Sequence, residues 1–99
     1  MRLDSSQIQI IRSIINEILG QDAKIILFGS RVDDAARGGD IDLMITVKEQ
    51  PINTVFTASL IAAKLERALS GRRVDIILKS LDSPLQPIHE IALSSGINL

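Results

Sequence analysis

Three aspartates and one Gly-Ser pair are the residues here whose types and spacing could do chemistry. Gly29-Ser30 directly follows the short apolar run Lys24 to Phe28 (KIILF). Glycine accepts backbone conformations that other residues resist, and it lets a ligand approach the main chain. Ser30 adds a hydroxyl, and amides at the start of a following helix would be free to meet a phosphate. Asp40-Ile41-Asp42 then opens a second apolar run, Ile41 to Val47 (IDLMITV). Residues i and i+2 of a strand point to one face, so both carboxylates project together, roughly 6–7 Å apart at the backbone. Ile41, Leu43, Ile45 and Val47 take the opposite, core-facing side. Paired carboxylates repel unless a cation lies between them. Their hard oxygens suit Mg²⁺, which completes its shell with water and substrate phosphates. Two such ions, about 3.5–4 Å apart, clamp the attacking and leaving oxygens of a phosphoryl or nucleotidyl transfer.

Asp75 is the third acid. It interrupts the run Arg73 to Leu78 (RVDIIL), in which Val74, Ile76 and Leu78 face one way and Asp75, Ile77 and Lys79 the other. A carboxylate inside an aliphatic strand is costly to bury unpaired. Beside the second strand it would face the cleft of Asp40 and Asp42, as a metal ligand or as the base that takes a proton from an acceptor hydroxyl. Plainer readings stand next to these. Gly-Ser pairs occur in ordinary turns. Acids at a strand edge discourage aggregation. Asp75 could simply pair with Arg72, Arg73 or Lys79, as buried charges do.

The elements that must position these residues follow from periodicity. Ile8, Ile11, Ile15, Ile18 and Leu19 recur at helical steps over residues 5–19. Asp4, Ser5 or Ser6 can cap that helix, and Gly20 ends it. Residues 24–28, 41–47 and 73–78 read as strands, and 30–36 can hold a short helix. A second long helix spans 52–69, with Val55, Leu60, Ala63, Leu65 and Leu69 loosely on one side; Gly71 stops it. A last helix covers 84–95, opened by Pro84 or Pro87 and closed by Gly96. Alternating helices and strands predict an α/β (α+β) layer, a small mixed sheet with helices packed on it. His89, with no Cys or second His to share a metal, reads as a surface or interface residue. Arg72-Arg73 reads as a helix end offsetting the dipole. Lys64, Glu66 and Arg67 read as a solvated helix face.

Composition bounds the function. Ninety-nine residues predict a single domain over 1–99. Seventeen isoleucines make the core aliphatic, and two aromatic residues, Phe28 and Phe56, are too few for a base-stacking platform. A net charge of −1 offers no surplus for nucleic-acid backbone, so no direct nucleic-acid binding is expected. The absence of Cys excludes disulfides, thiolate zinc sites and a cysteine nucleophile. No apolar run approaches the ~20 residues of a membrane span. The segment MRLDSSQIQI does not read as a secretion signal, which leaves the cytoplasm as the default location. A mean hydropathy of +0.25 predicts aliphatic residues left on the surface. Such a patch marks a protein partner, another chain or a second copy in a homodimer.

The arrangement G-S after one strand, D-x-D on the next and D on a third resembles the nucleotidyltransferase superfamily of the DNA polymerase β type. With the chain length and the text GSRVDDAARGGDIDL, it looks like a minimal nucleotidyltransferase, the antitoxin-type member encoded beside a HEPN-domain toxin. The resemblance runs from the first helix to the closing IALSSGINL. It implies the nucleotidyltransferase fold, with Gly29 and Ser30, helped by Arg31, on the β- and γ-phosphates of an incoming nucleoside triphosphate. It implies Asp40 and Asp42 on two Mg²⁺ ions, with Asp75 completing the second metal site and helping to deprotonate the acceptor. It implies ATP as donor, a tyrosine hydroxyl of the toxin as acceptor, and a toxin RNase silenced by AMP. Where relatives carry Arg-Gly after G-S-x, this chain has Val32-Asp33-Asp34, with Arg31 and Arg37 left to supply positive charge. Having no Tyr, the chain cannot be its own tyrosine acceptor. The alternative is an antitoxin that neutralises its toxin by binding alone.

Overall fold

The computed structural model describes residues 3–29, 41–82 and 84–99. Their elements run α1 (Ser5–Leu19), β1 (Lys24–Phe28), β2 (Ile41–Val47), α2 (Thr54–Ala68), β3 (Val74–Ser80), α3 (Pro87–Ser95) and β4 (Ile97–Asn98). The strands form one mixed sheet in the order β3-β2-β1-β4. β1 is antiparallel to both β2 and β4, and β2 is parallel to β3.

Both sheet faces are covered, which is why the strands read as continuous apolar runs. On one face Ile25, Leu27, Ile41, Leu43, Ile45, Val47 and Val74 pack with Ile11 and Ile15 of α1 and Ile61 and Leu65 of α2. On the other a smaller cluster joins Ile26, Phe28 and Met44 to Ala92 of α3, with Ile77 against it. Asp42 and Asp75 belong to this second face. Among the described residues it is the thinner one, covered by the short helix α3.

Local chemistry sets the boundaries. Asp4 caps α1 by accepting from the Gln7 amide at 2.8 Å, and the Gln7 side chain accepts from the Asp4 amide in return. Asn53 caps α2 by accepting from the Phe56 amide at 3.0 Å, so the helix starts at Thr54 rather than 52. Pro87 takes the first position of α3. The expected helix over 30–36 lies outside the described residues.

Two readings of the packing are corrected, and one strand is added. α2 turns Ile61, Leu65 and Leu69 inward, and Val55, Leu60 and Ala63 outward. Its sequence has two apolar sides, and the sheet takes the one in register with Leu65. His89 is buried, because its Nδ1 accepts from the Gln86 amide at 3.1 Å and folds the ring over the first turn of α3. β4, which no period of two residues could announce, pairs Ile97 with Leu27 and Asn98 with Ile26. Among the described residues no helix is long and apolar enough to cross a membrane.

Candidate active site

β2 and β3 run side by side with Ile41 opposite Val74, Asp42 opposite Asp75 and Leu43 opposite Ile76. Asp42 and Asp75 are therefore direct neighbours across one parallel pair, on the same face. Adjacent strands lie about 4.8 Å apart, so the two carboxylates leave the sheet with little more than that between their stems. Two like charges at about 5 Å repel by roughly 1 kcal/mol in water and about 3 at an effective dielectric of 20. A divalent cation between them reverses the sign, since each carboxylate then meets a doubled opposite charge at shorter range.

The other wall is Gly29. Antiparallel pairing sets Phe28 opposite Asp42, which brings the next residue of the chain against the Asp42 side chain. A Cβ on Gly29 would overlap Asp42 Oδ2 and stand 3.2 Å from its Cγ. The glycine has φ +77°, a left-handed conformation that side chains disfavour. The Asp42 carboxylate thus occupies the space that any other residue at 29 would fill. This gives the glycine of the Gly-Ser pair a reason independent of any ligand.

Asp75 also has a partner in the chain. Arg73 Nε lies 3.6 Å from its Oδ1, with the Asp75 side chain 48% exposed. Such an exposed pair contributes little to stability, and an incoming cation can displace it. Arg73 lies beyond the end of α2, so it serves this pair rather than the helix dipole. Lys79 plays no part at Asp75. It is buried and donates to the Ser80 carbonyl at 2.8 Å.

Hard oxygen donors, close spacing, one face and a glycine-lined wall fit a divalent cation. Asp42 and Asp75 would hold it. Among the described residues no group of three His, Asp or Glu side chains gathers. Asp40, Ser30 and Arg31 lie outside the described residues. Two clefts bounded by described residues lie elsewhere. One of about 380 Å³ lies by Arg12, Asn16, Lys24 and Asn98, and one of about 420 Å³ by Val47, Lys48 and Pro51. Both are at the far end of the sheet from Gly29.

Glu66 departs from its expected place on a solvated face. It is half-buried, and its Oε2 accepts from the Val74 amide at 3.0 Å. No spacing rule points to it, because the contact exists only once the chain has turned back after α2.

Comparison with known proteins gives the family and the fold. The chain matches the family described as polymerase beta, nucleotidyltransferase, over residues 9–99. No curated protein sequence matches it. Among solved structures it is similar to a toxin–antitoxin with AMP-PNP, with a TM-score of 0.73 and 23% identity over 97% of this chain and 72% of that one. It is also similar to the MntA-HpeT toxin–antitoxin in two variant forms. In one a tyrosine is replaced by alanine, with a TM-score of 0.70 and 23% identity over 98% and 72% of the two chains. In the other two aspartates, two positions apart, are replaced by glutamate, with a TM-score of 0.69 and 21% identity over 97% and 71%. At these identities the likeness is one of fold.

Proposed function

This chain belongs to the polymerase beta nucleotidyltransferase family, and we propose that it is a minimal nucleotidyltransferase antitoxin. In this reading it transfers AMP from ATP to a hydroxyl, that of a tyrosine, on a partner HEPN-type RNase toxin. The observation that carries it is the juxtaposition of Asp42 and Asp75 on adjacent strands, with the Asp42 carboxylate pressed against Gly29.

Asp42 and Asp75, with Asp40 beside them in the chain, would hold Mg²⁺. The bound cation would neutralise charge on the phosphates and on the leaving pyrophosphate. Gly29, Ser30 and Arg31 bind the β- and γ-phosphates. Gly29 does so by leaving its main chain uncovered, Ser30 through its hydroxyl and Arg31 through its guanidinium. Asp75, the more open of the two described acids, accepts the proton of the acceptor hydroxyl. The freed oxygen bonds to the α-phosphorus as the bond from that phosphorus to the bridging oxygen breaks. AMP stays on the acceptor and pyrophosphate leaves with the electron pair.

Two observations support a protein acceptor. The chain contains no Tyr, so a tyrosine acceptor lies on another molecule. α2 also leaves an apolar stripe in solvent: Val55, Phe56 and Leu60, with Val55 77% and Phe56 62% exposed and Ile52 exposed just before the helix. The spacing of three and four residues is that of a helix face which seats on a partner. The solved toxin–antitoxins with the same fold, one of them with AMP-PNP, favour both a toxin partner and an ATP-like donor. The aspartates replaced in one of them have the spacing of Asp40 and Asp42.

The test is mass spectrometry of the cognate toxin after incubation with this protein, ATP and Mg²⁺. The expected result is an AMP adduct that disappears with Asp40→Asn and with Asp42→Asn. An inhibited toxin with no adduct would overturn the transfer and leave an antitoxin that acts by binding.

A further inference from the structure

We propose that Glu66, on α2, is the positioning residue of the acid pair: its carboxylate fixes the register at which β3 sets Asp75 beside Asp42. This rests on the reading of Asp42 and Asp75 as cation ligands.

Among the described residues β3 is at the edge of the sheet. The Arg73 carbonyl accepts from Ile41 at 2.9 Å, and the Leu81 amide donates to Val47 at 2.8 Å. Odd-numbered residues of this stretch therefore turn their polar backbone groups toward β2. Val74, between them, turns its amide to the open edge, where a strand has no ladder partner for it. Glu66 supplies the partner through Oε2 at 3.0 Å. A charged acceptor makes this stronger than an ordinary amide–carbonyl bond.

The same residue also fixes the chain's return. The Glu66 carbonyl accepts from the Gly71 amide at 2.7 Å. At this reversal Ser70 and Gly71 are consecutive left-handed residues, with φ +64° and +82°. Glu66 thus clasps the reversal through its backbone and the first residue of β3 through its side chain. The consequence for the site lies in register. A slip of one residue would turn every side chain of β3 to the other face. Asp75 would then point into the core under α1 and α2, and Val74 or Ile76 would replace it beside Asp42. The Glu66 contact is one residue from Asp75, so it acts where a slip would begin.

The experiment is a Mn²⁺ titration followed by electron paramagnetic resonance, with thermal unfolding run in parallel on each variant. Asp75→Asn tests the underlying reading and should weaken Mn²⁺ binding at least tenfold. Unchanged binding there would sink that reading and leave Glu66 nothing to position. Given a loss with Asp75→Asn, Glu66→Ala should weaken binding by about the same factor, and the double variant should lose no more. Glu66→Gln keeps an acceptor oxygen at the same reach and should stay within about threefold of the parent. Glu66→Asp, one methylene shorter, should behave like the alanine variant and serves if that one does not fold. Ile15→Val, in the core far from the site, controls for general destabilisation and should leave Mn²⁺ affinity unchanged. Two results would overturn the proposal. One is parental affinity in Glu66→Ala or Glu66→Asp. The other is an equal loss in Glu66→Gln, which would make the charge of Glu66 the cause instead of its hydrogen bond.

Discussion

Gly29 carries two separable physical costs for any side chain, and two other glycines, Gly71 and Gly96, isolate each. At φ +77° an alanine pays for a left-handed backbone, about 1–2 kcal/mol. Its Cβ would also overlap Asp42 Oδ2, so the carboxylate must rotate away from its resting position. An off-rotamer side chain costs about 0.5–1.5 kcal/mol. Gly29→Ala should therefore destabilise by about 2–3 kcal/mol, a drop of roughly 10–20 °C in Tm for a chain of this size. Gly71 has φ +82° and open space where a Cβ would go. Gly71→Ala should show the backbone cost alone, roughly 5–15 °C. Gly96 is the converse. Its φ is −83°, which any residue adopts, but a Cβ there would overlap the Ile26 methyl and the Ala92 carbonyl and stand 3.0 Å from the Leu27 carbonyl. Gly96→Ala should lower Tm by overpacking, at about 1–3 kcal/mol. The gain from stiffening the unfolded chain is common to all three and cancels in the comparison.

Divalent-cation binding separates the three further. Only Gly29→Ala moves a carboxylate of the acid pair, so only it should weaken Mn²⁺ binding, by tenfold or more. Thermal unfolding by circular dichroism and Mn²⁺ titration give both quantities on the same samples. Equal Tm losses in Gly29→Ala and Gly71→Ala, with Mn²⁺ affinity intact in both, would refute the claim that Gly29 is a glycine because Asp42 lies against it.

Further predictions follow from the surface and the first helix. Asp4 is held below its ordinary 3.8 by the Gln7 amide first and the Ser6 hydroxyl second. A depressed folded value means that the cap contributes fully above the unfolded value and is lost as pH falls through the folded one. Tm should thus decline on acidification below about pH 4, and Asp4→Asn, which caps without titrating, should flatten that part of the curve. Val55→Asp and Phe56→Asp alter exposed positions, so Tm should stay within a few degrees of the parent. Co-elution with the partner toxin on size exclusion should be lost. Retained co-elution in both would remove the α2 stripe from the interface.

How far the sequence reveals the fold depends on whether a residue's neighbours are local. α1 was legible to the residue, because its isoleucines repeat at one helical period and Asp4 with Gln7 closes its start. β1 and β2 were equally clear as short apolar runs between breakers. The side that α2 buries is not legible in its sequence. Val55, Leu60, Ile61, Leu65 and Leu69 offer two apolar sides, and only the packing sheet chooses between them. β3 extends to Ser80, two residues past the expected end, because Lys79 bends its charge back onto the strand's own Ser80 carbonyl and so can be buried.

The site divides along the same line. Alternation within each strand put Asp42 opposite the core-facing Ile41 and Leu43, and Asp75 opposite Val74 and Ile76, with no knowledge of the fold. It could not say that β2 and β3 are parallel neighbours, nor that Asp42 and Asp75 are paired in register. That register depends on a hydrogen bond from Val74 to a glutamate eight residues back, across a left-handed turn. The chemistry of a carboxylate is written in its own residue type. Its usefulness to a cation depends on a second carboxylate more than thirty positions away, and on the contacts that stop an edge strand from slipping. Further positioning residues in this fold are therefore to be sought among side chains that, like Glu66, reach the backbone of an edge strand from the helix before it.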